Sequence, residues 1–476
     1  MGRKHIRPFF ENIEVLAAAS RGKSIGRAPD GRVILISNAI PGDVVSVQVF
    51  KKRKGMFEGV ATEITHPSPD RISPRCIHFG TCGGCKWQNM AYPAQLKHKA
   101  IEVAENLRRI GKVELPEINP IIGAPEIFHY RNKMEFSFSS QRWLEPEELK
   151  SDQPITDRNG LGLHIPGMWD KILDLKTCYL QAEPSNKIRL AVREYALKQG
   201  IPFFDPRQQT GMLRSLMIRN TAAGDFMVLI QFFQEDLKAR EALLNYLSET
   251  FPEIKSLYYT INPKANDTIY DLDLICYKGV PYLTETMEDL KFQITPKSFY
   301  QTNSEQALAL YRIVRDLAGL TGSEVVYDLY TGLGTIAQFI APKAKKVIGI
   351  EAVPEAIAAA KLNAQYNGLN HLKFFAGDMK AIFTSKFLSE HGIPDVIITD
   401  PPRDGMHKDV VAQILEIAPE RIVYVSCNSA TQARDLQLLK TKYKVDVVQP
   451  VDMFPQTHHV ENVVLLTRSS EPNSEL

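Results

Sequence analysis

The stretch Asp328-Leu329-Tyr330-Thr331-Gly332-Leu333-Gly334-Thr335 follows an apolar run, Val325 to Leu329, and leads into a helical window, Ile336 to Ala341. A strand, a glycine turn and a helix in that order open a nucleotide-binding unit. The two glycines let the backbone turn tightly and approach a ligand at the C-terminal edge of a sheet. From Phe292 onward, apolar strands alternate with helical windows, at Val325 to Leu329, Val347 to Ile350, Lys373 to Phe375, Val396 to Thr399, Ile422 to Ser426, Val445 to Val448 and Val463 to Leu466. Such alternation specifies a doubly wound parallel sheet of Rossmann-like type. Glu351 ends the second strand, where a carboxylate can accept bonds from two ribose hydroxyls, so an adenosine-bearing cofactor is expected. Gly332-Leu333-Gly334-Thr335-Ile336-Ala337 also satisfies the looser dinucleotide fingerprint, which leaves a nicotinamide dehydrogenase open at this point.

Asp400-Pro401-Pro402-Arg403 closes the strand Val396 to Thr399, so its polar groups emerge at the same edge as the glycine turn. The paired prolines stiffen that loop and hold the aspartate. Amino-group methyltransferases carry a related loop ending in an aromatic residue that stacks on the base; Arg403 stands there in this chain and weakens that alternative. Tyr424-Val425-Ser426-Cys427-Asn428 ends the next strand, ahead of a helical window from about Ala430 to Leu439. A thiol near a helix N-terminus is expected to favour thiolate, and Cys427 at a ligand-facing strand end is a nucleophile candidate. Cys276, inside Leu274-Ile275-Cys276, reads instead as a core residue. Pyrimidine C5 takes a methyl group only after a thiolate adds at C6, and a base must then remove the C5 proton. Glu461 is the best-placed base, with His458 and His459 as rivals.

Upstream, short β-like runs at Ile13 to Leu16, Val33 to Ile36, Val44 to Phe50 and Val60 to Ile64 are separated by Pro29-Asp30-Gly31 and Pro41-Gly42-Asp43, the pattern of a small OB-type barrel. Residues 1–60 hold eleven Lys or Arg against five acids, although the whole chain carries only +2, and such a block suits a polyanion partner. Pro67, Pro69 and Pro74 form a stiff linker into Cys76-x5-Cys82-Gly83-Gly84-Cys85. With Cys178 as a fourth thiol, this loop suits a tetrahedral zinc or an iron–sulfur cluster. Six cysteines in 476 residues are too few for a disulfide scaffold, and the cytoplasm is the expected compartment. No window reaches membrane-spanning length. A helix is expected from Tyr92 to about Gly111, packing on either neighbouring domain, followed by a mainly β region in which Arg131, Lys133, Arg214 and Arg219 could extend a phosphate track. The expected domains are 1–66, a barrel; 67–290, a central domain with the cysteine loop; 291–470, the nucleotide-binding domain; and 471–476, a frayed tail.

Several further motifs complete the pattern: Gly26 to Asp43, Ser68-Pro69-Asp70-Arg71, Phe299-Tyr300-Gln301-Thr302-Asn303 and Asp452-Met453-Phe454-Pro455. Together with the turn, the Asp-Pro-Pro-Arg loop and the cysteine motifs, they closely resemble the RNA uracil-5-methyltransferase family over nearly the whole chain. The likeness is to its 23S ribosomal RNA branch, with an N-terminal TRAM domain and a [4Fe-4S] cluster. The resemblance implies that Cys427 is the nucleophile and Glu461 the base. It implies that Cys76, Cys82, Cys85 and Cys178 ligate the cluster. It also implies that Gln301, Tyr330, Glu351 and Asp400 line a pocket for S-adenosylmethionine and uracil, with Asp378 near the adenine. Thr331 stands where many relatives have Cys, a conservative departure. Ribosomal RNA is the expected partner, with no membrane and no obligate protein partner, so a monomer is expected. The alternatives are uridine C5 methylation of tRNA, an amino-directed nucleic-acid methyltransferase, a dehydrogenase, and an RNA-binding assembly protein with a degenerate enzyme domain.

Overall fold

The computed structural model describes residues 7–151 and 153–469. The expected tail at 471–476 and the basic residues Arg3 and Lys4 lie outside the described residues. Strands β1 (Phe9–Ala18), β2 (Ser24–Arg27), β3 (Val33–Ser37), β4 (Val44–Arg53) and β5 (Met56–His66) close into a barrel in the order β1-β2-β3-β5-β4. Ile34 and Ile36 alternate inward, as do Val45, Val47 and Val49, so the branched residues fill the barrel while their neighbours face out. Lys51, Lys52 and Lys54 project from the β4–β5 hairpin into solvent. The buried Asp43 carboxylate accepts from the Ile40 and Ser68 amides and from Arg71 Nε at 2.9 Å, which fixes the proline linker against the barrel.

The helix Tyr92–Asn106 continues as one π-turn, Leu107–Gly111, and buries Val103 and Leu107 among Tyr424, Ala433, Leu436 and Val448. Of the two neighbours open to this helix, it packs on the C-terminal one.

The central region contains a seven-stranded sheet, ordered β12-β11-β10-β9-β6-β7-β8. Its strands are β6 (Lys133–Ser139), β7 (Gly160–His164), β8 (Ile172–Asp174), β9 (Leu213–Asn220), β10 (Phe226–Phe232), β11 (Ile254–Ile261) and β12 (Ile275–Gly279). Two long helices, Ser185–Gln199 and Leu237–Thr250, pack against it through Ile188, Val192, Ala196, Leu243, Leu244 and Leu247. The expectation of a mainly β region is therefore corrected to a sheet with helices. The phosphate track is corrected as well. Arg214 and Arg219 are buried, and their guanidinium groups donate to the carbonyls of Asn262 and Ser298. Lys133 pairs with Glu135 at 2.7 Å.

A hairpin of β13 (Leu283–Met287) and β14 (Leu290–Ile294) crosses residue 290, and Met287, Phe292 and Ile294 pack in the C-terminal core. That core is built on β15 (Val325–Leu329), β16 (Lys346–Glu351), β17 (Leu372–Ala376), β18 (Val396–Thr399), β19 (Arg421–Ser426), β20 (Tyr443–Val451) and β21 (Glu461–Arg468), in the order β17-β16-β15-β18-β19-β21-β20. The first five run parallel, and β21 lies antiparallel between β19 and β20. Successive residues serve opposite layers. Val326, Val347 and Ile398 pack on one side with the helix Ser304–Ala318, while Tyr327, Ile348 and Ile397 pack on the other with the helices Lys408–Ile417 and Ser429–Leu439. Polar side chains consequently collect at the C-terminal strand ends.

Candidate active site

At the end of β15 the chain enters the left-handed region at Tyr330 (φ 63°), Gly332 (φ 55°) and Gly334 (φ 71°). A Cβ at Gly334 would lie 2.7 Å from the Phe374 ring, whereas one at Gly332 would meet open space, so the turn packs on one side and bares its backbone on the other. Gly332 N–H donates to Glu351 Oε2 (3.2 Å) and Val353 N–H to Oε1 (3.0 Å), which aims the Glu351 carboxylate at the turn. Tyr330 is within electrostatic range of both Glu351 and Asp378, so the ends of β15, β16 and β17 converge. Asp378 is exposed and caps a short helix through the Lys380 amide.

Asp328, which opens the glycine-turn motif but was given no role there, is a further candidate. It is almost wholly buried, and it accepts from Thr331 Oγ1 and from the Ala337 amide at 3.1 Å. Its Oδ1 has no partner among the described residues. Burial raises its pKa to about 7, against the pull of Thr331 and with a push from Asp400. A buried carboxyl with an open lone pair beside a bare glycine turn fits a cationic, adenosine-bearing ligand. The sequence signal was available, since an aspartate inside an apolar strand must be satisfied or functional.

Cys427, Glu461 and Asp400 come together from three strand ends. Burial raises the Cys427 thiol to about 11, Glu461 and Asp400 push the same way, and Arg403, hydrogen-bonded to the sulfur, opposes them. Burial and two carboxyls thus work against the thiolate expected from the helix N-terminus, and Arg403 works for it. Burial raises Glu461 to about 8, helped by Asp400 and opposed by Arg403, and burial alone raises Asp400 to about 7. His458 and His459 are held neutral, at about 4 and 3, by burial and nearby cations. Gln301 lies in the loop before the helix Ser304–Ala318, and its carbonyl accepts from Asn132 Nδ2 at 2.8 Å, which ties the central sheet to this edge. Tyr311, on that helix, feels Asp400, Asp328 and Glu461 together and bonds Thr335 at 3.1 Å; nothing in the sequence marked it.

The three loop cysteines and Cys178 lie at one side of the central domain. Cys82, Cys85 and Cys178 pack against the central core, and their pKa shifts respond to one another and to Cys76. Three sulfurs face N–H donors: Cys82 faces Gly84 (3.4 Å), Cys85 the Gln88 side chain and Cys178 the Leu180 amide. As the side chains stand, no three His, Cys, Asp or Glu among the described residues form a group that could hold a metal ion. No described helix is long and apolar enough to cross a membrane.

An N-terminal barrel, a parallel sheet with a bared glycine turn, and a thiol set beside buried carboxyls define an S-adenosylmethionine-dependent RNA methyltransferase. Known proteins agree with that class. Residues 281–469 match the tRNA (uracil-5-)-methyltransferase family and residues 11–62 the TRAM domain. An uncharacterized RNA methyltransferase of Porphyromonas gingivalis is 53% identical over 466 residues, covering 96% of this chain and 100% of the relative. One from Bacteroides thetaiotaomicron is 54% identical over 451 residues, covering 94% and 99%. The crystal structure of Pyrococcus abyssi tRNA (uracil-54, C5)-methyltransferase in complex with S-adenosyl-L-homocysteine superposes with a TM-score of 0.74 at 26% identity, covering 96% of this chain and 100% of that one. The chain belongs to the RNA uracil-5-methyltransferase family.

Proposed function

We propose that the protein methylates C5 of a uridine in 23S ribosomal RNA, acting as a cytoplasmic monomer with Cys427 as nucleophile and Glu461 as base. The observation that carries this is the meeting of Cys427, Glu461 and Asp400 at the edge that bears the glycine turn. Glu351 would hold the ribose, Asp378 would lie near the adenine, and Gln301, Tyr330 and Asp400 would line the pocket. S-adenosylmethionine supplies an electrophilic methyl on a sulfonium. Cys427, ionised beside Arg403, adds to C6 and makes C5 nucleophilic; once C5 is methylated, Glu461 takes its proton and the C6–sulfur bond breaks, returning the thiolate. The barrel hairpin, with Lys51, Lys52 and Lys54, grips phosphates without reading sequence, and the uridine is flipped into the cleft. A tRNA substrate is the second reading, favoured by the Pyrococcus abyssi likeness.

Wild type and Cys427→Ala incubated with methyl-labelled S-adenosylmethionine and unmodified 23S ribosomal RNA or tRNA, with nucleoside mass spectrometry of the product, test the reaction, the nucleophile and the substrate RNA. 5-Methyluridine from wild type alone is expected, in ribosomal RNA; an active mutant or an exocyclic N-methyl product refutes the covalent route.

We assign Cys76, Cys82, Cys85 and Cys178 to a [4Fe-4S] cluster. The support is the donor set: Cys82, Cys85 and Cys178 pack against one core, and three of the four sulfurs face N–H groups. Such a cluster would be structural, holding the loop to the central sheet. Iron and acid-labile sulfide assays on anaerobically purified protein test it, and a preparation carrying zinc alone refutes it.

A further inference from the structure

Between Val451 and Glu461, which pair across the β20–β21 hairpin, the chain makes a loop whose apex is Gln456. This residue is 3% exposed and holds a left-handed backbone (φ 66°), a conformation that disfavours any residue with a side chain. One segment binds its amide, its carbonyl and its side-chain oxygen. The Lys86 and Trp87 amides, just beyond Cys85, donate to its carbonyl at 2.8 and 3.1 Å. Gln95, fully buried, accepts from its amide and donates to its Oε1, both at 3.0 Å. Gln95 is itself fixed by the carbonyls of Trp87 and Met90, each at 2.9 Å. Lys99 and Tyr92 from the same helix bind Asp452 at the loop's entry, at 2.6 and 2.8 Å. Beyond Gln456 the loop turns on Thr457, whose hydroxyl bonds Phe454 O and receives the His459 amide, and runs on to Glu461. His458 and His459 both feel Arg403, the residue that touches the Cys427 sulfur.

We propose that Gln456, locked by Gln95 and the Lys86–Trp87 amides, is a positioning residue that sets the path of 457–461 and so the approach of the Glu461 carboxylate to the C5 proton of the Cys427 adduct. The proposal rests on the assignment of Glu461 as base. Four groups of one segment are spent on one strained residue five positions ahead of that carboxylate. Among the described residues no side chain hydrogen-bonds the Glu461 carboxyl to aim it, so its aim depends on its backbone.

The consequence is specific to one step. Formation of the adduct and methyl transfer need Cys427 and the cofactor pocket, whereas release needs Glu461 placed against C5; loosening the lock stalls the enzyme with methylated RNA still attached. Displacement of a reacting group by about 1 Å slows a step by up to about a hundredfold.

The experiment is a single turnover with methyl-labelled S-adenosylmethionine and a transcript of 23S ribosomal RNA or tRNA, whichever wild type methylates, resolved on denaturing gels. Wild type, Glu461→Gln, Gln95→Ala and Gln456→Gly are compared. Gln456→Gly removes the side-chain bond from Gln95 and gives the apex a freer backbone, while tolerating the left-handed turn, so it loosens the lock and keeps the fold. Glu461→Gln traps labelled covalent adduct, and both glutamine variants release it about tenfold or more slowly than wild type, with S-adenosylmethionine affinity within about twofold. Release at the wild-type rate in both, while Glu461→Gln traps adduct, overturns the positioning role alone. Loss of cofactor binding and adduct formation in step overturns it in favour of a general structural role. Wild-type release from Glu461→Gln shows instead that the base was misassigned.

Discussion

Glu461→Gln and a pH series probe the base directly. Burial, the Asp400 carboxyl and the opposing Arg403 leave Glu461 with a pKa of about 8, and a raised carboxyl pKa means the protonated form persists to that pH. Only about one molecule in eleven then carries the ionised base at pH 7, and about ten in eleven at pH 9. Release of 5-methyluridine from pre-formed adduct, followed after a pH jump, should accelerate about tenfold between these values, with a midpoint near 8. Glu461→Gln should abolish the rise and leave the adduct intact. His458 and His459, held at about 4 and 3, would be fully neutral throughout and give a flat profile above pH 6. A flat profile, or a midpoint near 8 that survives in Glu461→Gln, would refute the assignment.

The Lys99–Asp452 pair is wholly buried, and removing one partner strands the other. Lys99→Met should cost about 3–5 kcal/mol, somewhat less because Tyr92 and the Phe454 amide still serve Asp452, lowering the melting temperature by roughly 6–20 °C; Lys99→Met with Asp452→Asn should recover most of that loss in the same melts. Asp328, Asp400 and Glu461 all bind protons more tightly folded than unfolded, so their stabilisation is complete below about pH 4 and is lost as pH rises through about 7 to 8. The urea midpoint should therefore fall across that range, and bound S-adenosylmethionine, with its positive sulfonium, should flatten the decline more than S-adenosylhomocysteine does; a midpoint rising with pH would contradict the burial of these carboxyls. Replacing Lys51, Lys52 and Lys54 with alanine should reduce the slope of log affinity for RNA against log salt by about 0.7 for each phosphate no longer neutralised. Arg214→Ala should leave that slope unchanged and lower the melting temperature, since its guanidinium serves the Asn262 carbonyl.

The C-terminal sheet was legible because parallel strands buried on both faces read as continuous apolar runs, and the polar residues that interrupt them, Glu351, Asp400 and Cys427, fall at strand ends. The barrel was legible from alternation, except for β2, whose four residues include a glycine and give no period. The middle third was not. Every residue of β10 is buried, so alternation vanishes, and the helix Ser185–Gln199 hides an arginine, Arg189, on its buried face. Arg214 and Arg219 were misread for the same reason: an arginine in a strand usually faces water, and only the tertiary fold shows carbonyls waiting for it.

The chemistry of the site shows where local reasoning stops. The position of Cys427 at a helix start argues for thiolate, and that inference is sound for the segment in isolation. Its titration is set first by burial and then by Glu461, Asp400 and Arg403, which the sheet order brings from segments far apart in the chain. Burial at the same sheet edge raises Asp328, Asp400 and Glu461, so these carboxyls hold protons that a bound sulfonium cation would help to expel. That charge is spent when the methyl group leaves the sulfur, so the C5 proton is removed by Glu461 in the environment that holds its carboxyl protonated up to about pH 8.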